Sequence, residues 1–559
     1  MNRKIAIILV VGVIILAAGL TPLVLVNAQS PSQSYTTTTV DGVQIAYDVT
    51  MKPSTPMNAP IAILLHGFAG NRITMRMIAY ALADKGFVCA SIDLQGHGSS
   101  GGYMGGFTSG LGSFVNDVDA VIGALKAMGI GNTSRLVLIG HSMGGGVVLK
   151  LGTQLTSVVE IIGVAPMSST TWANTTSPKN LLLIMSTGDS VINATTIEQT
   201  FYASINGTGT ANTVYDISGN RRELFVVNGP DHLSIVYNTA VIAQIVNWTT
   251  TYVLGAQQPL GISPDAIYIS VYVSIAGGIV MITCALALAY DGLLRERRRV
   301  ESPKKTDVKE LLILGGLAIL LAGILGSVVA VVITFAFALV TPLFMTNFLI
   351  GIFLGNAIVL GVLAFMKLRR STKDFRYFKF LRQSIIRPSA KIDLVFGLVG
   401  AIAFMALLAI TFGGNTMSTF STASIRLIFL PLYVLVFALI FMFYESFFKA
   451  VVRPLLADGV KRMALSVIFE LVVLLVTFVV ELVLITTLLS MVMPSLGIGS
   501  LILGLGVQVV LLVSVPLLIG VVSAELFYEK TGGWLAQIII GALLFATLTV
   551  VFSPVMTLF

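Results

Sequence analysis

The alternation of hydrophobic and polar positions divides the chain of 559 residues into two regions. Residues 29–260 carry short apolar runs between polar and glycine-rich segments, a pattern typical of a folded soluble domain. After residue 265 the chain consists of long apolar spans, each able to cross about 30 Å of hydrocarbon at about 1.5 Å per residue. The predicted spans lie near residues 266–290, 311–340, 344–366, 392–413, 427–448, 463–493, 500–526 and 534–557.

The N-terminal segment has two basic residues followed by a long apolar run. A secretory signal has an apolar core of about 7–15 residues, whereas a spanning helix needs about 20, so the length favours an uncleaved anchor. Val26-Asn27-Ala28 also fits a cleavage site, and a cleaved signal stays the alternative. The predicted domains are an anchor or signal over residues 1–28, an extracytoplasmic domain over 29–260 and a membrane domain of about eight helices over 261–559.

The composition favours a membrane protein, because 11% of the residues are charged, against about 25% in soluble proteins. Of 34 Lys and Arg residues, 23 lie in five short segments beside the spans. These segments are residues 1–4, 291–310, 367–391, 449–462 and 527–533. Basic loops stay in the cytoplasm, which predicts a multi-pass cell-membrane protein with a cytoplasmic N-terminus and nine spans, or eight if the signal is cleaved. Loops 341–343, 414–426 and 494–499 then lie outside, and no nucleic-acid partner is expected.

Cysteine and histidine positions indicate neither a disulfide framework nor a metal site. Cys89 and Cys284 lie in apolar runs and are predicted to be buried thiols, and all four histidines lie before residue 255. No cofactor is expected. Five N-x-S/T sequons fall within residues 29–260, which agrees with a location outside the cytoplasm. They begin at Asn132, Asn174, Asn193, Asn206 and Asn247.

Residues 135–150, RLVLIGHSMGGGVVLK, are predicted to form a strand, a sharp turn and a helix. Ser142 lies between Gly140 and Gly144 in the G-x-S-x-G pattern of a nucleophile elbow, where larger neighbouring side chains would clash. Downstream, Asp189 and His232 each follow an apolar strand. The order Ser, Asp, His is that of the α/β-hydrolases, so these residues are a candidate catalytic triad.

Two further motifs extend this pattern, HGFAG at residues 66–70 and DLQGHGSSGG at residues 93–102. With GHSMGGG at residues 140–146, they make residues 35–255, about 40% of the chain, resemble the α/β-hydrolase superfamily. Within it, the resemblance is to the branch of monoglyceride lipases and serine aminopeptidases. It implies a mostly parallel, doubly wound sheet, here fused to an all-α polytopic membrane domain. We recognise no family for the membrane region.

The residue pattern and the resemblance assign the same roles. Ser142 is expected to be the nucleophile, His232 the general base and then acid, and Asp189 the group that holds the imidazole tautomer. The backbone N–H groups of Phe68 and Met143 are expected to form the oxyanion hole, where each donor contributes roughly 3–4 kcal/mol.

Other polar residues near these motifs are expected to support the site. His66, beside Gly67, and His97 are predicted to brace the loops around the oxyanion hole, and His141 to pack the elbow. Asp231 is an alternative acid, but it directly precedes the candidate histidine, and neighbouring side chains rarely face each other.

The chain departs from the lipase pattern after the nucleophile helix, because only residues 169–180 separate two apolar strands where those relatives insert a long cap. The site is therefore expected to be open, or covered by residues 197–223, with Phe201, Tyr202 and Tyr215, or by the membrane region. This departure puts the monoglyceride substrate in doubt.

Four glutamates lie in or near the apolar spans. Glu445 and Glu525 lie near predicted cytoplasmic ends and are expected to reach the membrane surface. Glu470 and Glu481 lie deeper on one span, and eleven residues at about 100° each place them on one face. A charge there costs about 3 kcal/mol, and no Lys or Arg is predicted within the spans to offset it. These two carboxyls are therefore predicted to be protonated and hydrogen-bonded, with a polar cavity or proton path as the alternative.

The combined pattern predicts a membrane-bound serine hydrolase that cleaves a lipid or acyl ester at the outer membrane face through an acyl-enzyme. Membrane lipids and an ester at the membrane surface are its expected partners. Thioester or peptide hydrolysis is the alternative within the same fold. A transporter or structural membrane protein with a non-catalytic binding domain is the alternative class. An oligomer is compatible with the pattern but is not specified by it.

Overall fold

The structure is a computed structural model that describes residues 3–104, 111–293, 305–371, 375–387, 389–411, 426–457, 460–492 and 498–556. Its chain forms two compact units. The sheet unit comprises Gly19–Tyr272 and the described residues after Val550. The helical unit comprises the residues up to Ala18, Val273–Thr411 and Arg426–Val550.

Nine strands form one sheet in the sheet unit, in the order β1-β2-β4-β3-β5-β6-β7-β9-β8. The strands are β1 (Ser32–Thr38), β2 (Gln44–Thr50), β3 (Pro60–Leu65), β4 (Val88–Ile92), β5 (Asn132–His141), β6 (Val158–Val164), β7 (Leu181–Ser186), β8 (Tyr215–Ile217) and β9 (Asn220–Val227). The six strands from β4 to β9 in this order are parallel. Antiparallel pairs join β1, β2 and β4 at one edge, and β8 and β9 at the other.

The central strands β3, β4 and β7 are buried throughout and apolar apart from Ser91 and Ser186, as expected for parallel strands covered on both faces. The first six helices are α1 (Arg3–Gln29), α2 (Arg76–Ala83), α3 (Gly112–Met128), α4 (Met143–Gly152), α5 (Ala194–Ile205) and α6 (Thr239–Thr249). The buried side chains of α2 and α6 join those of the central strands in one hydrophobic core. The predicted α/β-hydrolase fold with a mostly parallel sheet is confirmed.

Ten further helices follow in the described part of the chain. They are α7 (Pro264–Leu293), α8 (Val308–Leu321), α9 (Ser327–Ala338), α10 (Phe344–Ser371), α11 (Tyr377–Ile385), α12 (Ala390–Thr411), α13 (Arg426–Phe447), α14 (Val460–Val492), α15 (Ile498–Thr531) and α16 (Leu535–Phe552). A short π-helical segment, Ala322–Gly326, joins α8 to α9, and a second one, Phe448–Val452, extends α13. We call each of these segments a π-turn.

Within the described residues, eight helical segments are long and apolar enough to cross a membrane, which indicates a membrane protein. Helix α15 covers the predicted span 500–526, and the break within residues 311–366 falls beside Thr341, as predicted. The short helix α11 was not predicted and lies in the basic segment 367–391. Most of the predicted loops 414–426 and 494–499, and residues 294–304, lie outside the described residues.

Glycines bring helices of the helical unit into backbone contact. A Cβ at Gly12 of α1 would lie 2.8 Å from the backbone nitrogen of Met281 in α7. A Cβ at Gly355 of α10 would lie 2.6 Å from the carbonyl oxygen of Gly326. Small residues allow such close approach between membrane helices, where van der Waals packing drives association.

Candidate active site

Ser142 lies in a strained turn between β5 and α4, with φ 53° and ψ −115°. A side chain at Gly140 would collide with the backbone carbonyl of Gly144. A Cβ at Gly144 would lie 2.6 Å from the carbonyl oxygens of Leu65 and His66. Glycine is therefore required on both sides of the serine, and the turn holds Ser142 at the carboxyl edge of the sheet.

Asp189 and His232 lie on the loops that follow β7 and β9, where His232 contacts Ser142 and Asp189 contacts His232. The hydroxyl of Ser142 donates to Nε2 of His232 over 2.9 Å, and Nδ1–H of His232 donates to Oδ2 of Asp189 over 2.7 Å. The backbone N–H groups of Val191 and Ile192 donate to Oδ1 of Asp189 over 2.8 and 3.1 Å. The structure thus brings together the three residues predicted as a triad, within reach of direct proton transfer.

Burial works to raise the pKa of Asp189, but the hydrogen bond and charge of His232, with two backbone N–H donors, hold that pKa below its ordinary value. Asp189 is therefore ionised at neutral pH and able to stabilise an imidazolium beside it. The loops that carry the acid and the base are also tied together, because the hydroxyl of Ser186 donates to the carbonyl of Pro230 over 2.5 Å.

Asp231, the alternative acid, is engaged elsewhere. Its Oδ1 accepts the backbone N–H groups of Leu233 and Ser234 over 3.0 and 3.1 Å, and its Oδ2 accepts the hydroxyl of Ser234 over 2.9 Å. These bonds make Asp231 a cap for the following turn. The geometry therefore favours Asp189 as the partner of His232.

His141 is buried beside the elbow. Burial above all, and then the neighbouring His232, lower the pKa of His141 to about 3. The neutral ring donates through Nε2 to the carbonyl oxygen of His232 over 2.8 Å. His141 therefore holds the main chain of His232 in place, which is more specific than the packing role predicted for it.

The two predicted oxyanion donors belong to segments that flank the nucleophile. Met143 is the first residue of α4, and the first N–H groups of a helix have no acceptor within it. Phe68 follows β3, in a loop where a Cβ at Gly67 would lie 3.1 Å from Cβ of Ser142. This loop therefore packs directly against the serine.

His66 and His97, which were predicted to brace this loop, both contact it. The backbone N–H of Leu94 donates to Nε2 of His66 over 3.1 Å, and Nδ1–H of His66 donates to the carbonyl of Gly67 over 2.7 Å. The His97 ring centroid lies 4.9 Å from that of His66 and 6.4 Å from that of Phe68. Neither ring hydrogen-bonds a triad side chain in these contacts.

Arg72 is a supporting residue that sequence reasoning missed. Its buried guanidinium donates to Asp48 over 2.9 Å and pairs with Asp93, which also accepts the backbone N–H groups of Arg72 and Ser99 over 2.6 and 2.7 Å. The network ties the loop after β3 to the loop after β4. The motif at residues 93–102 was the only sequence signal for this network, because no spacing in the sequence marks Arg72 as the partner of Asp93.

The side chains of Ser142 and His232 are buried, at 7% and 2% exposure. The open site and its covered alternatives stay predictions. The connection over residues 169–180 is short, as predicted, and contains one turn of 3₁₀-helix. Residues 197–223 form most of α5, β8 and the start of β9, and their buried Phe201 packs against Tyr202 and Tyr215. This segment belongs to the edge of the sheet and not to a cap.

The prediction that Glu470 lacks a cation is wrong. Nζ of Lys449 lies 2.9 Å from Glu470, 2.6 Å from Glu525 and 3.9 Å from Glu445, and all four side chains are buried. The π-turn carries the helix past the predicted end of the span at residue 448, which takes Lys449 into the bundle. Glu445 and Glu525 therefore do not reach the membrane surface. The i, i+4 spacing of Glu445 and Lys449 was the available signal.

The ion network continues through two arginines. Arg453 lies 3.2 Å from Glu525 and also contacts Glu529, which pairs with Arg462 over 2.6 Å. Glu481, by contrast, is buried without a hydrogen-bond partner for either carboxylate oxygen among the described residues. The two deep glutamates of α14 thus have opposite environments, and the hydrogen bond predicted for Glu481 is absent from the described contacts.

Part of the sheet unit is similar in sequence to known proteins. Residues 58–195 match the family model described as serine aminopeptidase, S33, a range that includes Ser142 and Asp189 and ends before His232. The monoacylglycerol lipase of Mycolicibacterium smegmatis is 34% identical over 115 residues, which are 21% of this chain and 39% of that lipase. The chain thus spans about two fifths of the length of that curated relative.

Solved structures similar to the chain include an esterase of Pyrococcus furiosus, with 16% identity and a TM-score of 0.32. The match covers 41% of this chain and 95% of the esterase. An α/β hydrolase of Penicillium sp. sh18 has 14% identity and a TM-score of 0.31, over 40% of this chain and 99% of that one.

The sheet unit has the α/β-hydrolase fold, and the resemblance predicted for residues 35–255 is confirmed by the sequence similarity found over residues 58–195. Its sequence is similar to that of a lipase, and it shares a chain with long apolar helices. Among the described residues, no group of three or more His, Cys, Asp or Glu side chains is placed to hold a metal ion.

Proposed function

We propose that this protein is a membrane-bound serine hydrolase that cleaves a lipid or acyl ester at the outer face of the cell membrane. The observation that carries the proposal is the hydrogen-bonded chain from Ser142 through His232 to Asp189, built on a strained elbow. A hydroxyl, an imidazole and an ionised carboxylate in this order form a general nucleophile-activating arrangement.

The proposed reaction has two halves. His232 takes the proton of Ser142 as its oxygen attacks the ester carbonyl, and the imidazolium is stabilised by Asp189. The tetrahedral intermediate collapses when His232 gives that proton to the leaving alcohol, which leaves an acyl-enzyme on Ser142. Water, deprotonated by His232, then attacks the acyl-enzyme, and a second collapse releases the acid and restores the serine.

The backbone N–H groups of Phe68 and Met143 are the proposed oxyanion donors. One such donor contributes about 3–4 kcal/mol to the transition state in a comparable hydrolase. Gly67 lies close to the side chains of His141 and Ser142, and Gly144 lies close to the backbone of Leu65 and His66. These contacts support the position of both segments.

Two observations support the proposed sidedness. Of the 23 basic residues in the short segments, Lys449, Arg453 and Arg462 are buried in ion pairs with glutamates, and the remaining 20 still favour a cytoplasmic N-terminus. Val555, after α16, hydrogen-bonds Gly96 within the sheet unit. This contact requires residues 264 and 552 to lie on the same side of the membrane, with an even number of crossings between them. Since seven spanning segments lie from α7 onward, α15 must also cross.

A substrate from the bilayer is the proposed class. The relative named monoacylglycerol lipase favours an acyl ester, and the flanking apolar helices keep the enzyme where such esters are concentrated. The short connection over residues 169–180 distinguishes this chain from relatives with a long cap, so the acyl chain is expected to be held by another part of the protein.

Labelling with a fluorophosphonate tests the triad in the full-length protein. The wild type should react at Ser142, whereas Ser142→Ala and His232→Ala should lose labelling, because removing either residue costs up to about a million-fold in turnover in a comparable triad. Absence of labelling in folded wild-type protein would contradict the proposal and favour a non-catalytic binding domain.

Peptide hydrolysis is the second candidate function, because the matched family model is described as serine aminopeptidase. Paired substrates with one acyl group and either an alcohol or an amine leaving group separate the two reactions. Turnover of the amide at a rate comparable to the ester would favour the peptidase, and turnover of the ester alone would favour the esterase.

A further inference from the structure

Glu481 lies in a setting that the proposed hydrolase does not use. Its side chain is 0% exposed, and neither oxygen has a hydrogen-bond partner in the described part of the chain. An ionised carboxylate in such surroundings is strongly unfavourable unless a positive charge compensates it. The residue is therefore expected to hold a proton or another cation.

A second unpartnered oxygen lies close by. Asn356 of α10 is 2% exposed, and its Oδ1 also lacks a hydrogen-bond partner among the described residues. Gly326 relates the two residues: a Cβ at this glycine would collide with Oε1 of Glu481 and lie 3.4 Å from the backbone nitrogen of Asn356. Glu481 of α14 and the backbone of Asn356 in α10 thus both lie against Gly326 inside the helical unit, and each of the two residues carries an unpartnered side-chain oxygen.

The backbone at this point is irregular. Gly326 ends the π-turn Ala322–Gly326, where the regular α-helical hydrogen-bond ladder is interrupted. Gly355 approaches the carbonyl oxygen of Gly326 closely, which a larger residue would prevent. Backbone carbonyls at interrupted membrane helices are common ligands for protons and Na⁺.

We infer that Glu481, Asn356 and the π-turn Ala322–Gly326 form a binding site for a monovalent cation, either a proton or Na⁺. One carboxylate balances one positive charge, and the amide and backbone oxygens supply further neutral ligands. A divalent ion would keep an uncompensated charge in this apolar setting. The helical unit then has a cation-linked role that is separate from the hydrolysis proposed at Ser142.

The surrounding titratable groups do not neutralise the site. From α13, Tyr444 lies within electrostatic reach of Glu481, and its hydroxyl donates to the carbonyl of Phe353 over 3.2 Å. The nearest carboxyl on the same helix, Glu470, is eleven residues away, about 16 Å along the axis. Glu470 is already paired with Lys449. Glu470 is therefore the internal control, a buried but paired carboxyl, for a reagent that modifies the unpaired carboxyl of Glu481.

Dicyclohexylcarbodiimide, which modifies protonated carboxyls in apolar surroundings, provides the first test. Full-length protein in liposomes is treated between pH 5.5 and pH 9 in choline chloride or NaCl, and modified peptides are identified by mass spectrometry. We expect an adduct on Glu481 and not on Glu470, with a rate that falls about tenfold per pH unit once the acid form is depleted. Protection by NaCl would identify Na⁺ as the ligand, whereas no protection would identify the proton.

A second measurement covers the case in which the reagent does not reach the site. The thermal unfolding temperature of wild type is compared with that of Glu481→Gln across the same pH and Na⁺ series, after gel filtration has shown both to be folded. A ligand that binds only the folded protein stabilises it by mass action, so the wild-type temperature should depend on pH or Na⁺ more strongly than that of the variant. Identical dependence in both proteins, with no adduct on Glu481, would overturn the inference.

Gly326→Ala supplies a variant that leaves the carboxyl in place. Its methyl group would occupy the position of Oε1 of Glu481, so labelling or Na⁺ protection at Glu481 should weaken at least several-fold. Gly316→Ala on α8 is the matched control, because a Cβ there meets nothing within 4 Å. Equal labelling of Glu481 in the two variants would contradict the role of the π-turn.

Discussion

The backbone N–H of Val555 donates a hydrogen bond over 2.7 Å to the carbonyl oxygen of Gly96. The carbonyl of Val555 in turn accepts the backbone N–H of Met104 over 2.8 Å. Both bonds lie within the sheet unit and attach the segment after α16 to the loop that carries His97. The His97 ring packs on the ring of His66, which belongs to the same segment as Phe68. The attachment therefore connects to the proposed oxyanion loop through this ring contact.

Gly96→Ala should disrupt this attachment. Gly96 has φ 74°, and a Cβ there would collide with the backbone nitrogen of Met104 and lie 2.8 Å from the carbonyl oxygen of Val555. A displacement of about 1 Å near a reacting group can cost about a hundredfold, so we expect fluorophosphonate labelling of Ser142 to slow by at least about tenfold. Gly42→Ala is the control, since it has φ 84° with nothing within 4 Å. Equal labelling rates in the two variants would show that the attachment does not support the site.

Gly144→Ala should damage the proposed site from the helix side. The added methyl group would lie 2.6 Å from the carbonyl oxygens of Leu65 and His66, which must move and take the loop of Phe68 with them. We expect turnover of an ester substrate to fall by about a hundredfold or more, as for loss of one oxyanion donor. Gly123→Ala in α3 meets nothing within 4 Å and should be neutral or stabilising by up to about 1 kcal/mol. Turnover by Gly144→Ala close to that of Gly123→Ala would argue against the oxyanion assignment.

Asp189→Asn and Asp231→Asn separate the two acids. The amide in place of Asp189 favours the wrong imidazole tautomer of His232, and in a comparable triad this change lowers kcat by about 10⁴. Asp231→Asn keeps a side-chain oxygen that can accept the backbone N–H groups of Leu233 and Ser234, so it should cost less than about 1 kcal/mol of stability and change kcat little. Steady-state kinetics on an ester substrate measures both effects. The reverse ranking would identify Asp231 as the acid of the triad.

The sheet unit was predictable from sequence because its signals are local. Each central strand is one apolar run, the elbow needs glycine at Gly140 and Gly144, and the candidate acid and base each follow a strand. Parallel strands then carry all three residues to the same edge of the sheet. The elbow glycines, the apolar strands and the order of the three residues along the chain were therefore enough to predict the candidate triad.

The ion network of the helical unit was not predictable in this way. A hydropathy pattern ends the span at residue 448, but the π-turn Phe448–Val452 continues the helix and takes Lys449 inward. The partners of Lys449 lie on α14 and α15, and sequence spacing does not report contacts between distant helices. The same reasoning explains why Asn356 was not linked to Glu481, since both are ordinary members of apolar spans.

Lys449→Met should destabilise the helical unit strongly. It leaves Glu470 and Glu525 buried without their shared cation, and breaking a buried ion pair on one side costs about 3–5 kcal/mol. Lys367→Met is the control, because Lys367 pairs with Glu310 at an exposed position, where a pair contributes about 0–1 kcal/mol. Thermal unfolding in detergent measures both variants. Equal unfolding temperatures would mean that the glutamates become protonated at little cost when the lysine is lost.

Glu160 is expected to make the stability of the sheet unit depend on pH. This residue of β6 is fully buried, and burial raises its pKa to about 8 although Thr249 donates a hydrogen bond to it over 2.6 Å. The folded protein therefore keeps the proton up to about pH 8, whereas the unfolded chain releases it near pH 4.5. Between these values folding takes up a proton, so the free energy of unfolding falls as the pH rises. The total loss is on the order of 5 kcal/mol at about 1.4 kcal/mol per pH unit.

Glu160→Gln isolates this contribution, because glutamine resembles the protonated acid and does not titrate. The temperature at which fluorophosphonate labelling of Ser142 is half lost reports on unfolding of the sheet unit, even though two units share the chain. At pH 5 the variant and the wild type should lose labelling at similar temperatures, and by pH 8.5 the variant should withstand the higher temperature. Glu198→Gln, at a partly exposed position of α5, should follow the wild type throughout. A constant difference between Glu160→Gln and the wild type across the pH range would mean that Glu160 is ionised in the folded protein, with its charge satisfied by Thr249 and its surroundings.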